Sequence, residues 1–246
     1  MTDRVALVQG GNRGIGLAFV RQLLADPGFD RVIATCRNPS GAEALRALAA
    51  DPSLELRRLD VTDEASIAAA AEGVEALHLL LNVSGILHRG DAVQPEKKLA
   101  QLDPAAMAEV FAINAFGPAL VAKHFARALT RHKEPAVLAN LSARVGSVGD
   151  NRLGGWYSYR ASKAAQNMLT KNLSIEMTRR NPQLVVLALH PGTVDTGLSK
   201  PFQRGVPEGK RFDAERAARQ LLAICRDATP DDNGCFYDWA GKPVPW

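Results

Sequence analysis

The chain has 246 residues, of which 46% are apolar and 23% charged, and its formal net charge is +4. Such proportions suit a globular protein with one sizeable core. Scattered basic residues with few aromatics exclude a nucleic-acid footprint, and no run of apolar residues approaches the ~20 that a membrane span needs.

The start of the chain enters a strand at once, so no signal peptide is expected. Cys36, Cys225 and Cys235 have no metal-ligand spacing, and their odd number argues against a disulfide framework. A reducing, cytoplasmic setting is the expectation. The five histidines likewise lack metal spacing, and no bound metal is expected.

The first apolar run, Arg4 to Gln9, reads as a buried strand. It leads into Gly10-Gly11-Asn12-Arg13-Gly14-Ile15-Gly16, after which Leu17, Val20, Leu23 and Leu24 recur at helical spacing. Strand, glycine loop and helix in that order form the context of a dinucleotide site. Gly10 allows the tight turn, Gly14 lets backbone approach a pyrophosphate, and Gly16 lets helix and strand pack closely. The N–H groups that open the helix then face the phosphates.

The second strand, Arg31 to Cys36, ends where an adenosine ribose would lie. An NAD site needs a carboxylate there, yet Cys36 is followed by Arg37, and Arg13 adds a second guanidinium from the glycine loop. Two arginines beside a ribose 2′ position suit a phosphate, so NADP(H) is expected over NAD(H). The opposing reading treats both as solvated loop residues.

Further strands follow at Leu54 to Leu59, Ala76 to Asn82, Ala136 to Leu141 and Leu184 to Leu189, with a short one near Gly234-Cys235-Phe236. Residues 103–130 read as one long helix interrupted near Gly117-Pro118, and another helix runs from about Ala214 to Cys225. Continuous apolar strands alternating with helices imply an α/β, Rossmann-type doubly wound domain over residues 1–246, with a mostly parallel sheet of about seven strands. Gly10, Arg37, Asp60, Asn82, Ser142 and Pro191-Gly192 all follow strand ends, and ligands of such sheets bind at that rim.

Between the fifth and sixth strands lies Tyr159-Arg160-Ala161-Ser162-Lys163. Residues at i and i+4 share a helix face, so the ammonium of Lys163 can sit beneath the phenol of Tyr159. A fixed cation lowers a phenol pKa from near ~10, the tuning a proton-transfer catalyst needs. Tyr-x-x-x-Lys also arises by chance on amphipathic helices, so the pair gains its meaning from the glycine loop and the rim. Tyr157 has the wrong spacing to Lys163. Residues 196–212, with Pro201, Gly205, Pro207 and Gly209, read as a candidate substrate lid or an ordinary surface loop. Trp156 walls the pocket or simply packs, and His190 reads as a packed strand-end histidine.

Together these residues resemble the short-chain dehydrogenase/reductase family, most closely its C-factor-like carbonyl reductases. The resemblance rests on Gly10-x-x-x-Gly14-Ile15-Gly16, Leu59-Asp60-Val61, Ile113-Asn114-Ala115, Ser142 to Ser147, Trp156 to Lys163 and Pro191-Gly192-Thr193-Val194. It implies an NADPH-dependent reduction of a small aldehyde, ketone or quinone, with Tyr159 as acid or base at the substrate oxygen. Lys163 would tune Tyr159 and hold the nicotinamide ribose, Asn114 would order a water relay, and a serine would bond the carbonyl oxygen. Cofactor contacts would come from Gly10, Asn12, Arg13, Gly14, Ile15, Gly16, Arg37, Asp60, Val61, Asn82, Ser84, Gly85, Tyr159, Lys163, Pro191, Gly192, Val194 and Thr196. It also implies a homodimer or homotetramer, and leaves as the alternative a C-factor-type signalling protein with little catalysis.

Three departures stand out. Gln9 occupies a position usually held by a small residue, and Leu81-Asn82-Val83-Ser84-Gly85 keeps one asparagine and the glycine. Counting three residues from Asn140 lands on Ala143, with Ser142 one earlier. A one-residue shift reverses side-chain direction, so Ser142 is the expected donor only if the strand has ended or bulged there, and Ser147 is the alternative.

Overall fold

The computed structural model describes residues 3–205 and 211–246. The strands in chain order are β1 (Val5–Gln9), β2 (Arg31–Cys36), β3 (Leu54–Arg58), β4 (Leu79–Asn82), β5 (Ala136–Leu141), β6 (Leu184–His190), β7 (Thr193–Val194), β8 (Arg211–Phe212) and β9 (Phe236–Asp238). The helices are α1 (Gly14–Leu24), α2 (Glu43–Arg46), α3 (Glu64–Ala71), α4 (Pro104–Phe111), α5 (Gly117–Thr130), α6 (Tyr157–Thr178) and α7 (Ala214–Asp227).

Alternation along β1 assigns its side chains to two cores. Val5 and Leu7 pack with Ile67 of α3 and Val121, Phe125 and Leu129 of α5. Ala6 and Val8 pack with Phe19 and Leu23 of α1 and with Leu221 and Cys225 of α7. Burial on both faces demands near-continuous apolar strands, the pattern the sequence carries. Seven strands form one sheet in the order β3-β2-β1-β4-β5-β6-β9, parallel throughout. The order reverses between β1 and β4, and the crevice of a doubly wound sheet opens at that point.

Pro104 to Thr130 runs as one helical stretch, long and apolar enough by composition to cross a membrane, which the sequence reading did not register. Here it is an amphipathic core element: Val121, Phe125, Ala128 and Leu129 face the sheet, while Lys123 pairs with Glu64 at 2.6 Å. Its interruption is a π-turn over Ala112–Phe116, just before the expected Gly117-Pro118 break. Gly117 is small because a Cβ there would lie 2.7 Å from the Cβ of Val61.

At the amino ends of the strands, His78, His132 and Glu134 bring possible ligand atoms within 4.8 Å of one another. Both rings are already engaged. Nδ1 of His78 accepts from Val5 N–H, which leaves Nε2–H to donate to Glu134 at 3.1 Å. His132 Nδ1 accepts from Glu134 N–H, leaving Nε2–H for the Leu77 carbonyl. With no free lone pair on either ring, the cluster is a hydrogen-bonded plug rather than a metal centre.

The tightest backbone approach is at the start of α1, where a Cβ on Gly16 would lie 2.0 Å from the Gly10 carbonyl oxygen. Gly16→Ala must therefore push the loop from the helix, and overpacking of this kind costs about 1–3 kcal/mol. A urea titration should show a lower midpoint for this variant at an unchanged slope.

Candidate active site

The rim is built from strand ends held in register. Gln9 aligns with Thr35 on one side and Asn82 on the other, and Asn82 aligns with Asn140. Gly10 and Gly14 have φ of +87° and +53°, the left-handed region in which a side chain is strained. No side chain caps α1 at Arg13 and its first turn holds no acidic residue, so the opening N–H groups remain available to an anion. Asn12 is half-buried in this loop and Ile15 is buried beneath it.

Gln9 does more than replace a small residue. Its Nε2 donates to Ser84 Oγ at 2.7 Å, and its Oε1 accepts from Ser84 N–H at 3.1 Å. The end of β1 and the loop after β4 are thereby clamped across the crevice. A Cβ on Gly10 would meet Ser84 Oγ at 2.6 Å, and one on Gly14 would meet Thr196 Cγ2 at 3.2 Å. The loop after β6 thus reaches the glycine loop, as does Ser84. Val194 is buried in β7, and Gly192 turns at φ +78° against Phe212 and Trp239. Pro191 lies in the same turn.

Arg13 and Arg37 are both exposed, and among the described residues neither forms an ion pair. Burial pushes the Asp60 carboxyl up, but hydrogen bonds from Thr62 and the charges of Arg37 and Arg58 outweigh it and hold the group below its ordinary range. Arg37 therefore stands close to Asp60, where the second and third strands end. Val61 is buried against α5.

The reaction centre lies on α6. Tyr159 and Lys163 are 8% and 3% exposed and occupy successive turns of one face. Lys163 Nζ donates to the Leu141 carbonyl at 2.8 Å and to Gln166 Oε1 at 2.9 Å. Asn114 is fully buried in the π-turn; its Oδ1 accepts from Ile86 N–H and its Nδ2 donates to Ile86 O, both at 2.8 Å, and to Ser162 Oγ at 3.1 Å. A Cβ on Gly85 would lie 3.3 Å from Asn114 Oδ1 and 3.6 Å from Lys163 Nζ, so the glycine leaves these two groups facing one small space. Asn82 Nδ2 donates to Asn140 Oδ1 at 2.8 Å, while Asn82 Oδ1, also buried, has no partner among the described residues.

Burial dominates the electrostatics. It pushes the Tyr159 phenol above its ordinary value and pulls the Lys163 ammonium down to about 7. The lysine was expected to lower the tyrosine; desolvation, which disfavours both charged forms, outweighs that attraction.

The serine expectation is corrected by the strand geometry. β5 ends at Leu141, yet Ser142 N–H still donates to Leu189 O at 2.8 Å and Ala143 is extended at φ −147°, so the alternation of side chains runs on past the strand end. Ser142 Oγ consequently points to α6 and donates to Asn167 Oδ1 at 2.6 Å. Ala143, by contrast, belongs to the buried apolar cluster that includes Tyr159. Ser147 is no substitute, because its Oγ accepts from Asp150 N–H and donates to Trp246 O.

Around Tyr159 the walls are apolar: Leu87, Val145, Trp156, Leu198 and Phe202. Trp156 meets both Tyr159 and Phe202 edge-on, at 6.3 and 5.3 Å between ring centroids. It does so from φ +48°, a strained conformation for a bulky residue that costs on the order of 1–3 kcal/mol. Its N–H donates to the Glu96 carbonyl at 2.5 Å, and the buried Glu96 carboxylate also accepts from the N–H and hydroxyl of Ser158, capping α6 from another loop. Sequence reasoning missed Glu96, Leu87, Leu198 and Phe202, since no local signal marks residues that meet only through loop packing. Of the candidate lid, residues through 205 bring Leu198 and Phe202 over Tyr159, Arg211–Phe212 pairs with Thr193–Val194, and residues 206–210, with Pro207 and Gly209, lie outside the described residues.

Comparison with known proteins agrees with this geometry. The family model described as short chain dehydrogenase matches residues 4–206. The 1-hydroxy-2-glutathionyl-2-methyl-3-butene dehydrogenase of Rhodococcus sp. is 32% identical over 98% of each chain. C-signal of Myxococcus xanthus is 34% identical over 60% of this chain and 83% of its own. Among solved structures, an NADPH-bound carbonyl reductase from chicken fatty liver superposes with a TM-score of 0.87 at 32% identity, covering 100% of this chain and 95% of that one.

His190 closes β6 with a buried Nδ1 that has no partner among the described residues, and burial pulls its imidazole down to about 4 despite the opposing charge of Asp238. A base whose folded pKa lies below its unfolded value near ~6.5 stabilises the fold above that value and progressively less as pH falls toward the folded pKa. Stability should therefore decline from about pH 6.5 down to 4, with His78, also lowered by burial, adding to the loss. In urea titrations across this range, His190→Asn should decline less steeply than the parent.

Proposed function

The chain belongs to the short-chain dehydrogenase family, and we propose that within it the protein is an NADPH-dependent reductase of small carbonyl compounds. It is an oxidoreductase by family, and its fold is that of carbonyl reductases. The observation that carries the finer reading is Tyr159 beside Lys163 on the buried face of α6, at the same rim as the glycine cradle. The cradle fits a dinucleotide: two left-handed glycines, an uncapped helix start, and at Gly16 no room for a side chain.

The cofactor, when bound, supplies a hydride to the carbonyl carbon. This chain's residues then manage the charge that develops on oxygen. The raised Tyr159 phenol holds its proton at neutral pH, which suits an acid that protonates an alkoxide and so favours reduction. Lys163 stabilises the phenolate that remains, and the Asn114 turn is the route by which the proton is replaced. Leu87, Trp156 and Phe202 exclude water from the oxygen and make the pocket suited to an apolar carbonyl compound, with the segment after β6 as a lid. Arg37, with Arg13, supplies the preference for a 2′-phosphate. The three cysteines are free, as a reducing compartment would keep them.

A second reading, a cofactor-binding signalling protein with weak catalysis, is favoured by one observation: the hydroxyl of Ser142, the expected donor, is bonded to Asn167, while Ala143 shares the apolar cluster of Tyr159. The likeness to C-signal is consistent with it.

NADPH oxidation over a panel of aldehydes, ketones and quinones separates the two. Wild type should turn over at least one class, and Tyr159→Phe should lose roughly 10²–10⁴-fold in kcat with NADPH binding intact, the usual worth of a positioned acid. Equal rates in both proteins would remove Tyr159 from the chemistry. Arg37→Ala should weaken NADPH binding on the order of tenfold to a hundredfold and NADH binding little, as loss of a charged hydrogen bond implies. Equal weakening in calorimetric titrations would show that Arg37 does not read the 2′-phosphate.

A further inference from the structure

The buried face of α6 holds a group that the proposed chemistry leaves unused. Gln166 follows Lys163 by three residues, one helical turn, and is 1% exposed. Its Oε1 accepts from Lys163 Nζ at 2.9 Å, and the Leu141 carbonyl accepts from the same nitrogen at 2.8 Å. Its Nε2 is buried with no partner among the described residues. Buried polar groups are nearly always satisfied, and each exception calls for a reason. An apolar side chain would fill this place without leaving an orphaned amide.

The ammonium geometry supplies that reason. A lysine has three N–H donors set by its tetrahedral nitrogen. With two of them held by the rigid end of β5 and by Gln166, the third is left for the remaining direction. A Cβ on Gly85, 3.6 Å from Nζ, would occupy the space beside Nζ and Asn114, and glycine leaves it clear. A neutral amine has only two N–H groups; both acceptors would take them, and its lone pair would face the site instead. An amide oxygen cannot itself take up the proton at neutral pH, so it favours the charged lysine without competing for it.

We propose that Gln166 is a positioning residue for Lys163, holding it as the ammonium and turning its third N–H into the space bounded by Gly85 and Asn114. The inference deepens the reductase reading and rests on it for its kinetic consequence. Burial alone lowers Lys163, to about 7, so the balance between charged and neutral forms falls in the working pH range and an added acceptor has leverage there. The titratable neighbour is the Tyr159 phenol one turn earlier. Leu141, Asn114, Gly85 and Gly146, which pack around the lysine from other elements, carry no titratable side chain.

The test compares wild type, Gln166→Leu and Gln166→Glu by NMR titration of ¹³Cε-labelled lysine, with Lys163→Met to assign the resonance, and by the pH profile of kcat for carbonyl reduction. Loss of the acceptor should lower the lysine midpoint by roughly one unit, and a carboxylate should raise it by a similar amount. The alkaline limb of the kcat profile should move in the same two directions, with KM for NADPH changing far less. Should Gln166→Leu fail to fold, Gln166→Glu, which keeps shape and acceptor, tests the upward shift alone. A midpoint that stays at the wild-type value in the variants that fold overturns the proposal. If wild type reduces no carbonyl compound, the reductase reading falls, while the NMR midpoints still decide what Gln166 does.

Discussion

The structure depends on a polar seam buried between α6 and the sheet. Helices usually dock through an apolar stripe, but α6 buries Ser162, Lys163, Gln166, Asn167, Thr170 and Ser174, at successive turns of one face. Hydrogen bonds tie this face to the strands: Ser142 to Asn167, and Asn140 to Thr170 at 2.9 Å, with Asn82 joined to Asn140. Each bond is modest in net worth, about 0.5–1.5 kcal/mol, yet an unmade one leaves a buried polar group at a cost of about 1–3 kcal/mol. The asymmetry admits a single register of helix on sheet. Tyr159 and Lys163 ride on that register, so the position of the chemistry is set by pairs that take no part in it.

A similar logic holds at the crevice. The Gln9–Ser84 pair joins the end of β1 to the loop after β4, the two strands between which the winding reverses. The glycine loop can then rest against Ser84 and Thr196 only because Gly10 and Gly14 lack side chains. Rigidity from the clamp and closeness from the glycines together make an anion cradle out of ordinary backbone.

The roof over Tyr159 is where this chain departs most from what its motifs imply. Ala143 and the ring of Trp156 line the surroundings of the phenol with carbon, and burial then raises the Tyr159 phenol and lowers the Lys163 ammonium to about 7. Trp156 holds its left-handed conformation because the Glu96 carbonyl takes its N–H and Phe202 packs on its ring. The cost of the strained turn is placed where it shapes the site.

Local patterns in the chain already carried the architecture. Apolar runs bounded by glycine, asparagine or proline marked the strands, with β2 and β5 matching residue for residue, because burial on both faces of a parallel sheet leaves little freedom in their composition. The glycine loop and the Tyr159–Lys163 spacing were legible for the same reason: each works through neighbours within a turn or two. Whether a serine faces the phenol was not legible, because it depends on whether the backbone stays extended past the end of β5 at Leu141, and it does. Glu96 capping α6 and Phe202 over Trp156 were likewise settled by packing between segments distant in sequence, and the lowered Lys163 by the depth of burial that desolvates a charge. Short-range sterics and hydrogen bonding are written in the order of residues; the dielectric around a side chain and the direction it faces exist only once the layers have closed on one another.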